Sequence, residues 1–412
     1  MTVVRTLVTV VFLTSCQTTR IADQHVRSVF DDVRAPIEGD GYVLHFIQLD
    51  DQGFFRDRDS DGRSRQLSAG LHDIRSAGLG NSMTVVFVHG WKHNSEQYDQ
   101  NALCFQSLLT QLVTTEKRGR KRRVIGIYLS WQGKTAQSDL LQQLTFWDRK
   151  KAIDTIASSG RVTYVLTALD DLARTAHSPL VIIGHSFGAR LVFEAVSQPI
   201  ISEVMRANDH VWGETLNIVQ TPIQGFGDLV ILLNPAFEAA KYDTFDLFAR
   251  TAEGFPMAQR PRLLILATNN DEATLTWFPR GMRIDLKSLA KPPAELITTV
   301  GNFTEFQTHV LLPCDQVTDE LAPPHRPDDS PANPCACATS IKISTPLKGM
   351  DSRACYGGLE LRKTRSGGVN SPFIVARTDY RVIDGHNGIF SQTLLSFILE
   401  YINTYVQQNP AA

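Results

Sequence analysis

Residues 180–190 have the sequence Leu180-Val181-Ile182-Ile183-Gly184-His185-Ser186-Phe187-Gly188-Ala189-Arg190. Its apolar beginning predicts a buried strand, and the residues from Gly188 onward have helical spacing. Between them lies a G-x-S-x-G pentapeptide, in which the Ser sits on a strained strand-to-helix turn with its Oγ exposed above the sheet. Glycines on both sides keep this crowded turn free of side chains. The amides that open the following helix point toward any oxyanion formed beside Ser186.

Further short apolar runs alternate along the chain with segments of helical period. The strand-like runs are Tyr42–Leu49, Met83–Val88, Val124–Leu129, Leu180–Ile183, Leu229–Leu233 and Leu263–Ala267. The helix-like segments are Asn101–Thr114, Leu140–Ser158, Val162–Thr175, Arg190–Val196 and Gly388–Val406. Strand, helix and strand in series predict a mostly parallel sheet that is covered by helices on both faces.

Composition and charge limit the class of protein. The chain has 412 residues, of which 42% are hydrophobic and 20% charged, so a disordered or collagen-like chain is excluded. The 41 basic and 43 acidic side chains give a formal net charge of −2, and we therefore expect no nucleic-acid partner. No apolar run reaches the ~20 residues that a membrane-spanning helix needs. A globular protein with a large core is expected.

A second motif lies upstream, where the apolar run Val85–Val88 leads directly into His89-Gly90-Trp91. The order of this motif, the GHSFG pentapeptide, a late Asp and a terminal His resembles the α/β-hydrolase superfamily. The similarity is greatest to bacterial serine esterases and lipases with a strand-HGW motif, here Phe87-Val88-His89-Gly90-Trp91-Lys92-His93-Asn94. It covers roughly residues 42–300 and 372–406.

The resemblance implies an α/β-hydrolase fold, with a mostly parallel central sheet flanked by helices. It also implies that Ser186 is the nucleophile and that the oxyanion hole uses the backbone N–H of Phe187 and one from Gly90 or Trp91. The His89 imidazole is expected to support the oxyanion loop rather than to transfer protons.

In this fold the acid follows the second strand after the elbow, and the His comes last in the chain. Leu263–Ala267 fits that strand, so Asp271 is the predicted acid, with Glu272 and Glu238 as alternatives.

The predicted base is His386, which lies in a Gly-flanked loop before the last helix. His309 is the alternative, although a lone His among apolar residues is more often structural. In this assignment His386 Nε2 takes the proton of Ser186, and Asp271 orients the imidazole.

The N-terminus has the pattern of an export signal, with Arg5 followed by the apolar Leu7–Leu13 and by Leu13-Thr14-Ser15-Cys16. This tetrad resembles the lipobox of bacterial lipoproteins, which implies lipidation of Cys16 and membrane association, with the outer membrane favoured. The competing interpretation is a chance Cys in a start that is not a leader. We predict a leader over 1–16 and one α/β-hydrolase domain over 17–412.

Two segments of that domain extend the basic pattern. Residues 132–178 are longer than one crossover helix requires and predict two helices. The insertion at about 300–370 is Pro-rich and holds Cys314, Cys335, Cys337 and Cys355, which predicts two disulfides in an exported protein. Each of Cys335 and Cys337 is expected to pair with Cys314 or Cys355, because one residue separates them; zinc binding is the weaker alternative. Cys104, in a helical stretch, is expected to be a buried thiol.

Two charged stretches carry weaker signals. Residues 57–62 (Asp-Arg-Asp-Ser-Asp-Gly) mimic the opening of a calcium loop, but Ser68 stands where a bidentate carboxylate is expected, so a polar turn is favoured. The basic run at 117–123 is interpreted either as a solvated loop or as a site of attraction to anionic lipid headgroups.

The predicted reaction is hydrolysis of carboxylic esters of small or lipid-like substrates, through an acyl-enzyme on Ser186, with no cofactor and no metal. The apolar residues Phe187 and Trp91 favour uncharged substrates. An acyltransferase or amidase could use the same residues, and a non-catalytic binding lipoprotein on a hydrolase scaffold is an alternative of another class.

Overall fold

The computed structural model describes residues 33–133, 146–207, 221–250, 254–285, 291–324, 355–365, 368 and 370–406. The predicted leader, Cys16, Cys335 and Cys337 lie outside these residues. None of the helices within the described ranges has the length and apolar character needed to cross a membrane.

The described strands form one sheet in the order β1-β2-β4-β3-β5-β6-β7-β11-β8-β10-β9. Their bounds are β1 Ile37–Gly39, β2 Tyr42–Gln48, β3 Ser82–Val88, β4 Arg123–Ser130, β5 Leu180–His185, β6 Leu229–Leu233, β7 Leu263–Thr268, β8 His309–Pro313, β9 Cys355–Tyr356, β10 Leu359–Lys363 and β11 Phe373–Thr378. The run from β2 through β11 to β8 is parallel, and antiparallel pairs occur only toward the two edges, at β1–β2, β8–β10 and β10–β9.

Helices cover both faces of this sheet. Their bounds are α1 Arg65–Ser76, α2 Gln100–Arg118, α3 Phe146–Ser158, α4 Arg161–Thr175, α5 Phe187–Ala207, α6 Asp243–Arg250, α7 Phe278–Asp285, α8 Ala294–Ile297 and α9 Gln392–Tyr405. One hydrophobic core joins the sheet to α1, α3, α4 and α5, and a second core joins the opposite face to α2 and α9. Since both faces are buried, the central strands are apolar at nearly every position, as parallel sheets require.

The predicted α/β fold class is therefore confirmed, and all six strand-like runs are strands. The described part of the segment 132–178 holds two helices, α3 and α4. Residues 57–62 form a polar turn, in which Asp59 Oδ1 accepts from the backbone N–H groups of Asp61 (3.0 Å) and Arg63 (2.8 Å).

The predicted disulfide pairing is wrong. Cys314 and Cys355 are bonded to each other, with their Cα atoms 6.1 Å apart. Antiparallel pairing explains this result, because β10 lies beside β8 and a tight turn after Cys355 brings β9 to the same end of the sheet. Cys104 is 1% exposed, as expected, but it is also disulfide-bonded rather than a free thiol.

Candidate active site

Ser186 occupies the turn between β5 and α5 in a left-handed backbone conformation, with a φ of 54°. Such a conformation costs a residue with a side chain ~1–2 kcal/mol. Backbone hydrogen bonds hold it in place: Ser186 N–H donates to the Leu233 carbonyl (3.1 Å), and the Ser186 carbonyl accepts from the Ala236 N–H (3.1 Å). The loop after β6 thus fixes the turn at the end of β5.

The glycines on both sides of Ser186 are required by close approaches of the backbone. A Cβ on Gly188 would lie 2.1 Å from the Val88 carbonyl oxygen and 2.5 Å from that of His89. A Cβ on Gly184 would lie 2.7 Å from Ala189 Cα. The start of α5 therefore packs directly against the end of β3, which brings the HGW loop next to Ser186.

The structure brings together the three residues that the sequence analysis assigned to catalysis. Ser186 Oγ lies 2.8 Å from His386 Nε2, and His386 Nδ1 lies 2.7 Å from Asp271 Oδ2. Ser186 is 3% exposed and the Asp271 side chain is fully buried, whereas the His386 side chain is 20% exposed. The three side chains form one continuous chain of hydrogen bonds that opens to solvent at the imidazole.

The Asp271 carboxylate accepts hydrogen bonds at both oxygens. Oδ1 accepts from the backbone N–H groups of Ala273 (2.9 Å) and Thr274 (3.2 Å), and Oδ2 accepts from Thr274 Oγ1 (2.7 Å) as well as from His386. Thr274 Oγ1 in turn accepts from Asn302 Nδ2 at 3.0 Å. Buried donors on every side fix the orientation of the carboxylate toward the imidazole.

The alternative acid and base residues lie elsewhere. Glu238 faces Arg190, with 3.7 Å between Oε1 and Nη1, and Glu272 is exposed just before a short π-helix. His309 is the first residue of β8, and its Nδ1 lies 2.8 Å from Thr308 Oγ1. Burial lowers the pKa of His309 to about 4, and Lys363 adds to this effect.

His89 is the first residue of the HGW loop, and its ring is completely buried between the rings of Tyr128 and Trp131. The backbone N–H of Trp131 donates to His89 Nε2 (3.2 Å), so the proton of the neutral ring is on Nδ1, which donates to the Gly90 carbonyl (2.8 Å). Burial lowers the pKa of His89 to about 4, which favours this neutral form.

The hydrogen bond from His89 Nδ1 to the Gly90 carbonyl orients the peptide unit between Gly90 and Trp91. In a trans peptide the N–H points opposite to the C=O, so the Trp91 N–H points away from His89. Gly90 itself lies against the nucleophile, because a Cβ built on it would come within 2.7 Å of Ser186 Cβ. Phe187 is the first residue of α5, so its amide is at the helix N-terminus beside Ser186. Of the predicted oxyanion residues, Phe187 and Gly90 thus adjoin Ser186, and Trp91 follows Gly90 in the chain.

Sequence reasoning missed the polar residues around the triad, chiefly Thr274, Asn302, Asn234 and His185. Asn234 directly follows a strand that ends at the same edge of the sheet as the nucleophile, and this position could have identified it. Thr274 and Asn302 lie in short irregular turns for which the sequence carries no period. Within the described ranges, no group of three or more His, Cys, Asp or Glu side chains could hold a metal ion.

The parallel sheet, the elbow at Ser186 and the chain order Ser, Asp, His define an α/β-hydrolase fold. No protein-family model and no curated protein matches the sequence.

Two solved structures show distant similarity to this chain. One is phospholipase PlaB from Legionella pneumophila in complex with thio-NAD, with 15% identity over 47% of this chain and 39% of that chain and a TM-score of 0.25. The other is a putative YdeN-like hydrolase from Pectobacterium atrosepticum, with 19% identity over 50% of this chain and 71% of that chain and a TM-score of 0.17. The fold assignment therefore rests on the sheet and the elbow.

Proposed function

We propose that the protein is a serine hydrolase that cleaves carboxylic esters through an acyl-enzyme on Ser186. The observation that carries this proposal is the unbroken hydrogen-bond chain from Asp271 through His386 to Ser186 Oγ, on a strained elbow. A nucleophile within hydrogen-bond reach of a base, which is itself oriented by a third group, is the arrangement that activates a hydroxyl.

In this mechanism Ser186 Oγ attacks the ester carbonyl carbon while His386 Nε2 takes its proton. The oxyanion accepts hydrogen bonds from the N–H of Phe187 and from the Gly90–Trp91 loop. His386 then gives its proton to the departing alcohol, which leaves an acyl group on Ser186. Water attacks this acyl group by the same route, and Asp271 stabilises the imidazolium in both halves.

The apolar character of Phe187 does not bear on the substrate. Its side chain is 1% exposed and belongs to the core between the sheet and α5. Trp91 is partly buried against the same core. The proposal is therefore limited to the carboxylic ester itself, and a lipid-like acyl chain is one class that an ester panel should include.

Fluorophosphonate labelling of the purified protein, with peptide mass mapping of the adduct, tests this function. We expect an adduct on Ser186 that is absent from His386→Ala, and hydrolysis of esters that is absent from Ser186→Ala. A folded protein that is neither labelled nor active on esters would contradict the proposal. Product analysis with added alcohols, amines or amide substrates separates a hydrolase from an acyltransferase or an amidase. Ligand binding by an unlabelled protein would indicate a binding lipoprotein.

A further inference from the structure

The backbone carbonyl of His386 receives two side-chain hydrogen bonds inside the protein. His185 Nε2 lies 3.0 Å from this oxygen, and Asn234 Nδ2 also lies 3.0 Å from it. The same Asn234 amide lies 3.2 Å from the Gly385 carbonyl. The loop that carries the imidazole is thus held through its main chain, independently of the bond from the imidazole to Asp271.

The donor atom of each hydrogen bond can be assigned. A carbonyl can only accept, so His185 Nε2 carries the proton, and burial lowers the pKa of His185 well below its usual range, which keeps the ring neutral. Asn234 Oδ1 accepts from the backbone N–H of Thr268 (3.1 Å), which leaves Nδ2 as the donor. His185 is 1% exposed and Asn234 is fully buried, so water does not replace these bonds easily.

His185 and Asn234 lie at the ends of neighbouring strands close to the triad. His185 is the last residue of β5 and immediately precedes Ser186, and its ring centroid lies 4.9 Å from that of His386. Asn234 follows β6, the strand between β5 and β7, and adopts a left-handed backbone with a φ of 42°. One strand end therefore bears the nucleophile and also holds the base.

We infer that His185 and Asn234 are positioning residues that keep His386 Nε2 within reach of Ser186 Oγ. This inference rests on the proposed function. Without these bonds the Gly-flanked loop can shift, and a displacement of ~1 Å between reacting groups can cost about a hundredfold in rate. Neither residue touches the reacting atoms, so the expected loss is in kcat rather than in KM.

A matched pair of substitutions tests the donor at position 185. The amide nitrogen of Gln can replace Nε2 of His, whereas Met has similar length and no donor. We expect H185Q to keep kcat within about threefold of the native protein and H185M to lose tenfold to a hundredfold, with KM unchanged in both. His45→Gln, at a buried histidine on β2 that bonds Asp73, is the control and should be fully active.

The shared acceptor gives a second test. Because both donors bind one carbonyl, the effects of H185M and N234A on kcat/KM should be non-additive by more than about threefold. Additive effects, or equal activity of H185Q and H185M at equal free energy of unfolding, would overturn the inference.

Crystal structures of the H185M and H185Q variants test the positioning role separately from the proposed function. In H185M the distance between His386 Nε2 and Ser186 Oγ should exceed hydrogen-bond length, whereas H185Q should keep the 2.8 Å contact. An unchanged contact in H185M would refute the positioning role even if the native protein hydrolysed no ester. Conversely, a lost contact in H185M with an inactive native protein would contradict only the proposed function.

Discussion

The hydrogen bonds that hold Asp271 can be tested directly, because the acid must be oriented toward the imidazole that it stabilises. Three donors besides His386 hold the carboxylate, and one of them is a side-chain hydroxyl, Thr274 Oγ1. Asn302 donates both to this hydroxyl and to Thr299 Oγ1 (2.9 Å), so it keeps a partner when the Thr274 hydroxyl is removed. Thr274 is therefore a site where one bond to the acid can be deleted alone.

For Thr274→Val we expect the free energy of unfolding to fall by about 1.5–3 kcal/mol, the value of a hydrogen bond to a charged group. We also expect kcat for ester hydrolysis to fall about tenfold, because the acid loses a donor that fixes its direction. Urea unfolding and steady-state kinetics measure the two effects. Thr274→Ser keeps the hydroxyl and serves as the control; a Val variant as active as the Ser variant would refute this role.

At the scale of elements, the HGW loop is stabilised by a histidine that must stay neutral. The pKa of His89 falls from its ordinary 6.5 to about 4 because the ring is fully buried. Between these values the unfolded chain binds more protons than the folded one, so folding stability decreases as the pH falls from 6.5 toward 4. The full effect corresponds to about 3 kcal/mol.

We predict that His89→Asn removes this part of the pH dependence, because the Asn amide can replace Nδ1–H toward the Gly90 carbonyl but does not titrate. The free energy of unfolding, measured in urea between pH 7 and pH 4, should decline more steeply for the native protein than for the variant. His185 and His309 also have lowered pKa values, and the comparison cancels their contributions. Parallel curves for the two proteins would disprove the prediction.

The disulfide between Cys314 and Cys355 joins elements at the edge of the sheet farthest from β1. Cys314 and Cys355 are 41 residues apart. Closing such a loop lowers the entropy of the unfolded chain, which stabilises the folded state by about 4 kcal/mol. The C314S/C355S double variant should lose up to that amount of stability and keep its ester turnover. Substitution is preferable to a reductant, since Cys104 is also disulfide-bonded. A loss of activity without a loss of stability would contradict this expectation.

The sequence predicted the strands and helices that have a strong hydrophobic period, and the residues of recognisable motifs. It predicted much less about the turns and loops between them. Leu229–Leu233 is apolar throughout and was predicted with its observed bounds. The helix Arg65–Ser76 was missed, although Ser64 caps it and its Leu67 and Ile74 are buried. Asp271 and His386 could be predicted because chain order is a property of the fold, but Thr274 and Asn302, which hold the acid, lie in short irregular turns that have no sequence period.

In the whole molecule, the active site and the basic run lie at opposite ends of the parallel strands. The described chain begins at the end that carries Ser186: the backbone N–H of Arg34 donates to Gln48 Oε1 (2.8 Å), and its guanidinium donates to the carbonyl of Ser95 (2.7 Å). Gln48 ends β2, and Ser95 lies in the loop after β3. The residues between Cys16 and Val33 can span at most about 60 Å. A lipid on Cys16 would therefore keep the start of the described chain within about that distance of a membrane surface.

The basic run at 117–123 lies at the opposite end of the parallel strands, from the last residues of α2 to the first residue of β4. Half of its charges are paired: Lys117 with Asp40 (2.7 Å), Arg122 with the buried Glu116 (2.6 Å), and Arg123 with Glu38 (3.4 Å). The exposed remainder is Arg118, Arg120 and Lys121. If this turn bound anionic headgroups, the active site would face away from the same membrane. The pairing of half of its charges within the protein favours the solvated-loop interpretation.

We propose that attachment to a membrane depends on Cys16 and not on the basic turn, half of whose charges already have partners in the protein. Expressed in a bacterium, the native protein should fractionate with membranes, with the outer membrane favoured, and should incorporate radiolabelled palmitate. Cys16→Ala should move it to the soluble fraction, because the acyl chains that it loses would contribute about 0.8 kcal/mol for each buried CH₂. The C314S/C355S double variant, which changes cysteines outside the predicted leader, and a triple Glu substitution at 118, 120 and 121 should both remain with membranes. Release by the charge reversal, with no effect of Cys16→Ala, would instead assign attachment to the basic turn and turn the active site toward bulk solvent.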